Sequence, residues 1–227
     1  MKLSPRLAAI AALVPEGSRV ADVGTDHGFL AVFLAEQGIA ASVVATDVRE
    51  GPLAAAKQNI SAAGLEERIS LRLCDGLADV RPEEADVIIL AGMGGETIAG
   101  ILARAPWALE NGRLLLLSPQ SKQELLREWL WTHGCAIRRE ALVRDAGRIY
   151  PILCAGGKAQ RRPDAAELHM GVWPPETRDA LFYEALHYNI EKLRREAEGL
   201  RASREASARE RLAKTEALLA ALREWEV

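Results

Sequence analysis

Five short, uninterrupted apolar runs alternate with helix-patterned segments through the first half of the chain, and this alternation restricts the fold more than any other feature. The runs cover residues 19–23, 42–46, 69–73, 85–90 and 113–117. Apart from 69–73, they lack the polar-apolar alternation of a half-exposed strand and so must be covered on both faces, as in a parallel sheet flanked by helices. Helical spacing fills the intervals at 27–37, 52–63, 96–103 and 122–133, with Gly38 and Gly64 placed as stop signals. Two further strands, 136–143 and 149–155, follow each other with no helix between them. They predict an antiparallel pair at the sheet edge. The expected fold is α/β: a mostly parallel, doubly wound sheet with antiparallel edge strands.

The ends of the chain read differently. Residues 1–14 fit a capped amphipathic helix, with Ser4 as N-cap and Pro5 in the first helical position, rather than a signal peptide: Arg6 interrupts a short apolar run. Residues 158–175 are rich in Gly, Pro and charge without a period, and are expected to be a linker or irregular segment. Beyond it, Tyr183, Leu186, Ile190, Leu193, Ala197 and Leu200 recur at steps of three and four, as do Leu212, Thr215, Leu219 and Leu222. This predicts an antiparallel helical coiled-coil hairpin over 176–227, either a packing or dimerisation element or an arm that grips an extended ligand. The expected domains are therefore 1–157, a linker 158–175, and 176–227.

No apolar stretch is long enough to cross a membrane. The three cysteines, Cys74, Cys135 and Cys154, are far apart and form no CxxC pair. They suit buried thiols in a reducing, cytoplasmic compartment, with no metal centre. Net charge is −3: 16 Lys+Arg face 19 Asp+Glu through Gly157, and 13 face 13 after it. Any nucleic-acid surface must then be a local patch.

The chemistry-bearing residues gather after the apolar runs. Asp22, Asp47 and Asp75 follow the first three strands in order. Ligands of open α/β sheets bind outside those strand ends. Three ordered acids match what S-adenosylmethionine requires. Gly24 and Gly28 let its methionine part approach the backbone. Asp47 is placed to accept both ribose hydroxyls, Asp75 to accept from the adenine amine, and residues 69–73 with Leu77 to flank the ring. Taken alone, Asp47 fits an NAD ribose equally well. The first loop, Gly24-Thr25-Asp26-His27-Gly28, lacks GxGxxG, however, and Asp26 would repel a pyrophosphate. After the fourth strand stands Ala91-Gly92-Met93-Gly94-Gly95, a tight turn or a backbone platform for a planar base.

The chain resembles the TrmK family of bacterial tRNA (adenine(22)-N1)-methyltransferases through LSPRL at 3–7, ADVGTDHGFL at 21–30, DVREGPL at 47–53, CDGL at 74–77, ILAGMGG at 89–95, LLSPQ at 116–120 and REWL at 127–130. The resemblance spans the whole chain. It implies a class I methyltransferase, Rossmann-like fold with a C-terminal coiled-coil domain that helps hold tRNA, and S-adenosylmethionine as the only cofactor. It further implies that Asp22, Gly24, Thr25, Gly28, Asp47, Asp75, Gly76, Ala91, Gly92 and Met93 form the cofactor site. Asp26, with His27 as an alternative proton carrier, stands at the catalytic centre. Gly94, Gly95, Pro119 and Gln120 face the substrate base, although Ser118-Pro119-Gln120 departs from the more usual Gln-Pro-Asn. Asp47 departs conservatively from the family's more frequent Glu.

Adenine N1 is on the pairing edge, so the target must be flipped out and the RNA gripped elsewhere. Basic candidates are Arg138, Arg139, Arg144 and Arg148, then Lys158, Arg161 and Arg162. On the hairpin they are Arg194, Arg195, Arg201 and Arg204. A monomer or weak homodimer is expected. The residues alone leave other readings open: a small-molecule methyltransferase with the hairpin as lid, a non-catalytic S-adenosylmethionine-binding scaffold, or a nicotinamide oxidoreductase.

Overall fold

The structure, a computed structural model, describes residues 2–159, 161–203 and 205–226. It divides into two compact units, Met1–Arg162 and Pro163–Val227. The first unit holds one seven-stranded sheet: β1 (Ser18–Val23), β2 (Ala40–Asp47), β3 (Ile69–Leu73), β4 (Val87–Ala91), β5 (Leu114–Ser118), β6 (Cys135–Asp145) and β7 (Arg148–Lys158). The spatial order is β3-β2-β1-β4-β5-β7-β6. The first five strands are parallel, and β7 is antiparallel to both β5 and β6. The chain reverses direction across the sheet between β1 and β4, the switch point at which open α/β sheets form a crevice. The register pairs Val23 with Thr46, Asp47 with Leu73, and Ala91 with Ser118, so the ends of β1 to β5 come out along one edge.

Helices α1 (Pro5–Ala11), α2 (Phe29–Glu36), α3 (Glu50–Ala62), α4 (Gly95–Arg104) and α5 (Gln123–Thr132) cover the sheet. Alternate residues of the same strands divide between two cores. Ile88, Leu90, Leu115 and Leu117 pack with Ile98, Leu102 and Leu126, whereas Val87, Ile89 and Leu116 pack with Ile10, Leu30 and Leu34. That two-sided burial is why the strands lack polar alternation. Predicted boundaries hold within a few residues, but α1 is shorter than the expected 1–14. Ser4 caps it, accepting from the Leu7 N–H at 3.4 Å while its hydroxyl donates to Asp145 at 2.7 Å.

Between α5 and β6, Arg127 and Glu140 form an ion pair with side-chain exposures of only 3% and 1%.

In the second unit, a helix α6 (Ala165–Met170) stands inside the segment expected to be irregular. Asp164 caps it, accepting from the Glu167 N–H at 2.8 Å, and Glu167 returns the bond to the Asp164 N–H at 2.9 Å. The hairpin is α7 (Ala180–Ala202) and α8 (Ala208–Arg223). Leu186, Ile190, Leu193, Ala197 and Leu200 are buried, with Thr215, Leu219 and Leu222 of α8. Phe182 is the fully buried ring at the start of α7, where Tyr183 was expected; Tyr183 is only partly buried. Arg204 lies outside the described residues.

Candidate active site at the strand ends

Each acid is placed by the end of its strand. Asp22, on β1, is 5% exposed and accepts a 2.6 Å hydrogen bond from the Thr25 hydroxyl. Burial pushes its carboxyl up to about 6, the Thr25 bond opposes that rise, and the Asp47 charge adds to it. Asp47, the last residue of β2, is also 5% exposed. Its oxygens accept from the main-chain N–H of Asp26 at 3.3 Å and of Arg49 at 3.0 Å. The loop after β1 is tied down from the same side, since the Gly24 and Thr25 N–H groups donate to the Thr46 carbonyl at 2.8 and 2.9 Å.

Gly24, Asp26 and Gly28 of this loop all take left-handed backbone angles, the latter two for different reasons. Gly28, at φ +72°, starts α2 where an added Cβ would lie 3.0 Å from that of Ala56. Asp26 holds φ +54° although it is not glycine. This turns its side chain out, 65% exposed, with the His27 imidazole 3.8 Å away and 50% exposed. His27 stacks on Phe29 at 5.5 Å.

The loop after β4 completes the crevice. An added Cβ on Gly24 would meet the Met93 methyl at 3.0 Å, so Met93 abuts the β1 loop. Gly92, at φ +82°, faces the other way: its missing Cβ points toward Arg6 Nη2 and Gln120 Nε2, 3.8 and 3.9 Å off. The Gln120 N–H donates to the Met93 carbonyl at 2.9 Å, joining the two loops. Gly94 lies against the Ser121 hydroxyl. Gly95 is required by packing, because a Cβ would come within 2.2 Å of the Lys122 carbonyl. Pro119 is buried beneath the exposed Gln120.

Asp22, Gly24, Thr25, Asp26, His27, Gly28, Asp47, Ala91, Gly92, Met93, Pro119 and Gln120 thus share one edge of the sheet. Asp75 stands at the same edge but is 67% exposed and bound through both oxygens to Arg104, at 2.9 and 3.0 Å. Gly76 is drawn in by the Thr46 hydroxyl, which donates to its carbonyl at 2.9 Å. Ile69 and Leu77, expected to flank a purine, are core residues instead, 4% and 3% exposed. Sequence reasoning missed Val48. It is 66% exposed just past Asp47, and Leu73, the register partner of Asp47, is 51% exposed. Exposed aliphatic groups at two adjacent strand ends form a face for a flat ring.

Arg138 and Arg139 are not brought to this edge. The register aligns Ile137 and Leu115 with Ala155, placing Arg138 level with the beginning of β5. Its Nε donates to the Gly156 carbonyl at 2.8 Å. Arg144 and Arg148 instead occupy the β6–β7 tip, which reaches α1 through Asp145 and Ser4. On the hairpin, Arg194 is bonded to Glu191, and Arg195 is exposed.

The donor set fits S-adenosylmethionine. Asp47, an acceptor-only carboxylate fixed by two N–H bonds, suits a ribose diol. Buried Asp22 suits a cationic ammonium, and Val48 with Leu73 an adenine face. Among the described residues no group of His, Cys, Asp or Glu could hold a metal, and no helix is long and apolar enough to cross a membrane.

Residues 3–153 match the model of a methyltransferase domain. The chain is 34% identical to the tRNA (adenine(22)-N(1))-methyltransferase of Bacillus subtilis over 173 residues, 76% of this chain and 73% of that protein. The crystal structure of the B. subtilis M1A22 tRNA methyltransferase TrmK superposes with a TM-score of 0.89 at 28% identity, covering 99% of this chain and 98% of the other. Streptococcus pneumoniae Sp1610 in complex with S-adenosyl-L-methionine superposes at 0.82 with 33% identity, covering 99% of each chain. With the strand order, the acid-lined crevice and this likeness in agreement, the chain belongs to the TrmK family of S-adenosylmethionine-dependent methyltransferases.

Proposed function

We propose that this protein transfers the methyl group of S-adenosylmethionine to N1 of adenine 22 in tRNA. The observation that carries the reading is the likeness along the whole chain, helical hairpin included, to a protein named for that reaction. The cofactor, when bound, supplies an electrophilic methyl on a sulfonium. Asp47 would hold the ribose hydroxyls, Asp22 with Thr25 the ammonium end, and Val48 and Leu73 the adenine. Asp75 would reach the adenine amine on giving up Arg104. Gly24, Gly28 and Gly76 shape the backbone around it, and Ala91, Gly92 and Met93 form the wall between cofactor and base.

Adenine N1 carries its own lone pair, so the protein's task is chiefly alignment. Gly94, Gly95, Pro119 and Gln120 would seat the flipped base. The methylated ring is cationic. The Asp26 carboxylate, aimed outward by its backbone angle, stabilises that charge or takes a proton from the exocyclic amine, with His27 beside it as second carrier.

The sheet-bearing residues, 1–157 in the sequence division, act as the catalytic domain, and the hairpin, 176–227, as an arm for the tRNA. Arg194 and Arg195 are its candidate phosphate contacts. Arg138 and Arg139 would have to meet RNA well away from the reacting base. The hairpin's apolar seam is filled within the chain, which favours a monomer over a dimer. A tRNA substrate, with Cys135 and Cys154 kept as buried free thiols, fits a cytoplasmic enzyme that needs no metal. Primer extension on unmodified tRNA after incubation with S-adenosylmethionine tests the reading. A stop at adenine 22 is expected, and full read-through with cofactor bound would refute it.

A further inference from the structure

We propose that Arg6 grips a backbone phosphate next to the target adenosine; the inference rests on the tRNA reading above. Arg6 lies in α1 and is partly buried. Its Nε and Nη1 are shut off from solvent and have no hydrogen-bond partner among the described residues. A guanidinium carries five N–H donors and a permanent charge, and leaving the three on Nε and Nη1 buried and unanswered is costly. The Tyr150 ring, 4.8 Å from its Cζ, offsets part of that cost but accepts no directed bond. Asp145, the nearby carboxylate, accepts from the Ser4 hydroxyl and the Arg6 main-chain N–H, and forms no ion pair with the guanidinium. Nη2, which is not among these closed atoms and lies beside the bare α-carbon of Gly92, is the point at which the group can receive an anionic oxygen from outside the protein.

Its place says which one. Gly92 has its bare α-carbon toward Arg6 Nη2 and Gln120 Nε2, whereas Met93 abuts Gly24. The β4 loop therefore divides the crevice. The β1 and β2 acids that suit the cofactor lie on one side; Arg6, Gln120 and Tyr150 lie on the other, toward β5 and β7. Ser118, at the end of β5, adds a buried hydroxyl without a hydrogen-bond partner among the described residues. A cationic fork beside a base pocket matches the phosphodiester of the nucleotide delivered to it.

The test uses the full chain, tRNA carrying a single uncharged methylphosphonate on the 5′ or the 3′ side of the target adenosine, and the variants Arg6→Gln and Arg6→Lys. Arg6→Gln should lower kcat/KM for tRNA by about 10- to 100-fold, the range of a charge-assisted bond, while binding of S-adenosylhomocysteine stays within about twofold. Arg6→Lys should restore part of the loss, and do so without a change in thermal midpoint that would mark a folding defect. One of the two methylphosphonates should slow the parent protein about as much as Arg6→Gln does, and slow Arg6→Gln little further. Equal slowing of parent and variant at both linkages would overturn the phosphate assignment alone. A fall in S-adenosylhomocysteine affinity equal to the fall in kcat/KM would overturn it in favour of the cofactor's carboxylate. A parent protein that methylates no tRNA would overturn it together with the proposed function.

Discussion

The main-chain N–H of Asp26 donates to Oδ2 of Asp47 across 3.3 Å, so the outward-facing acid of the first loop is held by the acid of the second strand. The bond helps fix Asp26 at φ +54°, a conformation unfavourable for any residue with a Cβ. Strain and carboxylate can be separated by substitution. Asp26→Gly keeps the backbone and relieves the strain, so its thermal midpoint should match or exceed the parent's, by up to about 1 kcal/mol of stability. Turnover on tRNA should still fall by at least about 100-fold, the usual worth of a positioned acid or base, with affinity for S-adenosylhomocysteine nearly unchanged. Equal losses of turnover and affinity would make Asp26 part of the cofactor pocket.

Asp22 predicts a pH dependence of the free protein. Its carboxyl sits at about 6 when folded, against an ordinary 3.8. The folded state therefore holds the proton more tightly, and this contribution is full below about pH 4 and lost as pH rises through 6. Roughly two pKa units correspond to about 3 kcal/mol. Asp22→Asn should accordingly be the more stable protein at pH 8, by up to that amount, and the advantage should vanish near pH 4. Denaturant titrations across that range check it. Because an ammonium group beside it favours the ionised carboxylate, S-adenosylhomocysteine should bind the parent more weakly below pH 6.

Arg127 and Glu140 give a prediction about stability alone. Arg127 Nε and Nη2 reach the Glu140 oxygens at 3.0 and 2.7 Å in a site closed to solvent. Removing one partner strands the other charge, so Arg127→Met or Glu140→Leu should each cost about 3–5 kcal/mol. The double variant should cost far less than their sum. An additive double variant, measured by urea unfolding, would show the pair is not coupled.

What could be read beforehand was what depends on neighbours in the chain. Uninterrupted apolar runs betray buried parallel strands, and the acids that close them must emerge at the sheet edge, so Asp22 and Asp47 were visible as a pair. Arg6 was not: its meaning comes from Tyr150 and Gly92, which only the folded sheet brings to it. The exposure of Val48 is equally silent in a sequence where apolar residues imply core, whereas Leu73 falls within the 69–73 run expected beside the ring. Helix α6 shows no sequence period because six residues are too few to display one, although Asp164 and Glu167 carry its capping signal. Arg138 looked like an RNA contact because charge is local, whereas its distance from the crevice is set by the register of β6 on β7.

The hairpin's charges make the last prediction. Arg194, Arg201 and Arg223 line a groove between α7 and α8 together with Glu198 and Glu216. Arg201 is bonded to Glu216 at 2.6 Å, and both side chains are about half exposed. If the groove takes tRNA phosphates, each glutamate competes with the RNA for its arginine. Exposed pairs of this kind are worth about 0.2–1 kcal/mol. Glu216→Gln should then tighten tRNA binding by no more than about fivefold, while Arg201→Gln and Arg195→Gln weaken it. Each arginine lost should also flatten the dependence of log K on log salt by nearly one unit per phosphate contact. Filter binding over a salt series separates the cases. An unchanged slope in Arg195→Gln and Arg201→Gln, with affinity also unchanged in Glu216→Gln, would remove the hairpin from the RNA path and leave the β6–β7 tip, with Arg144 and Arg148, as the surface to test next.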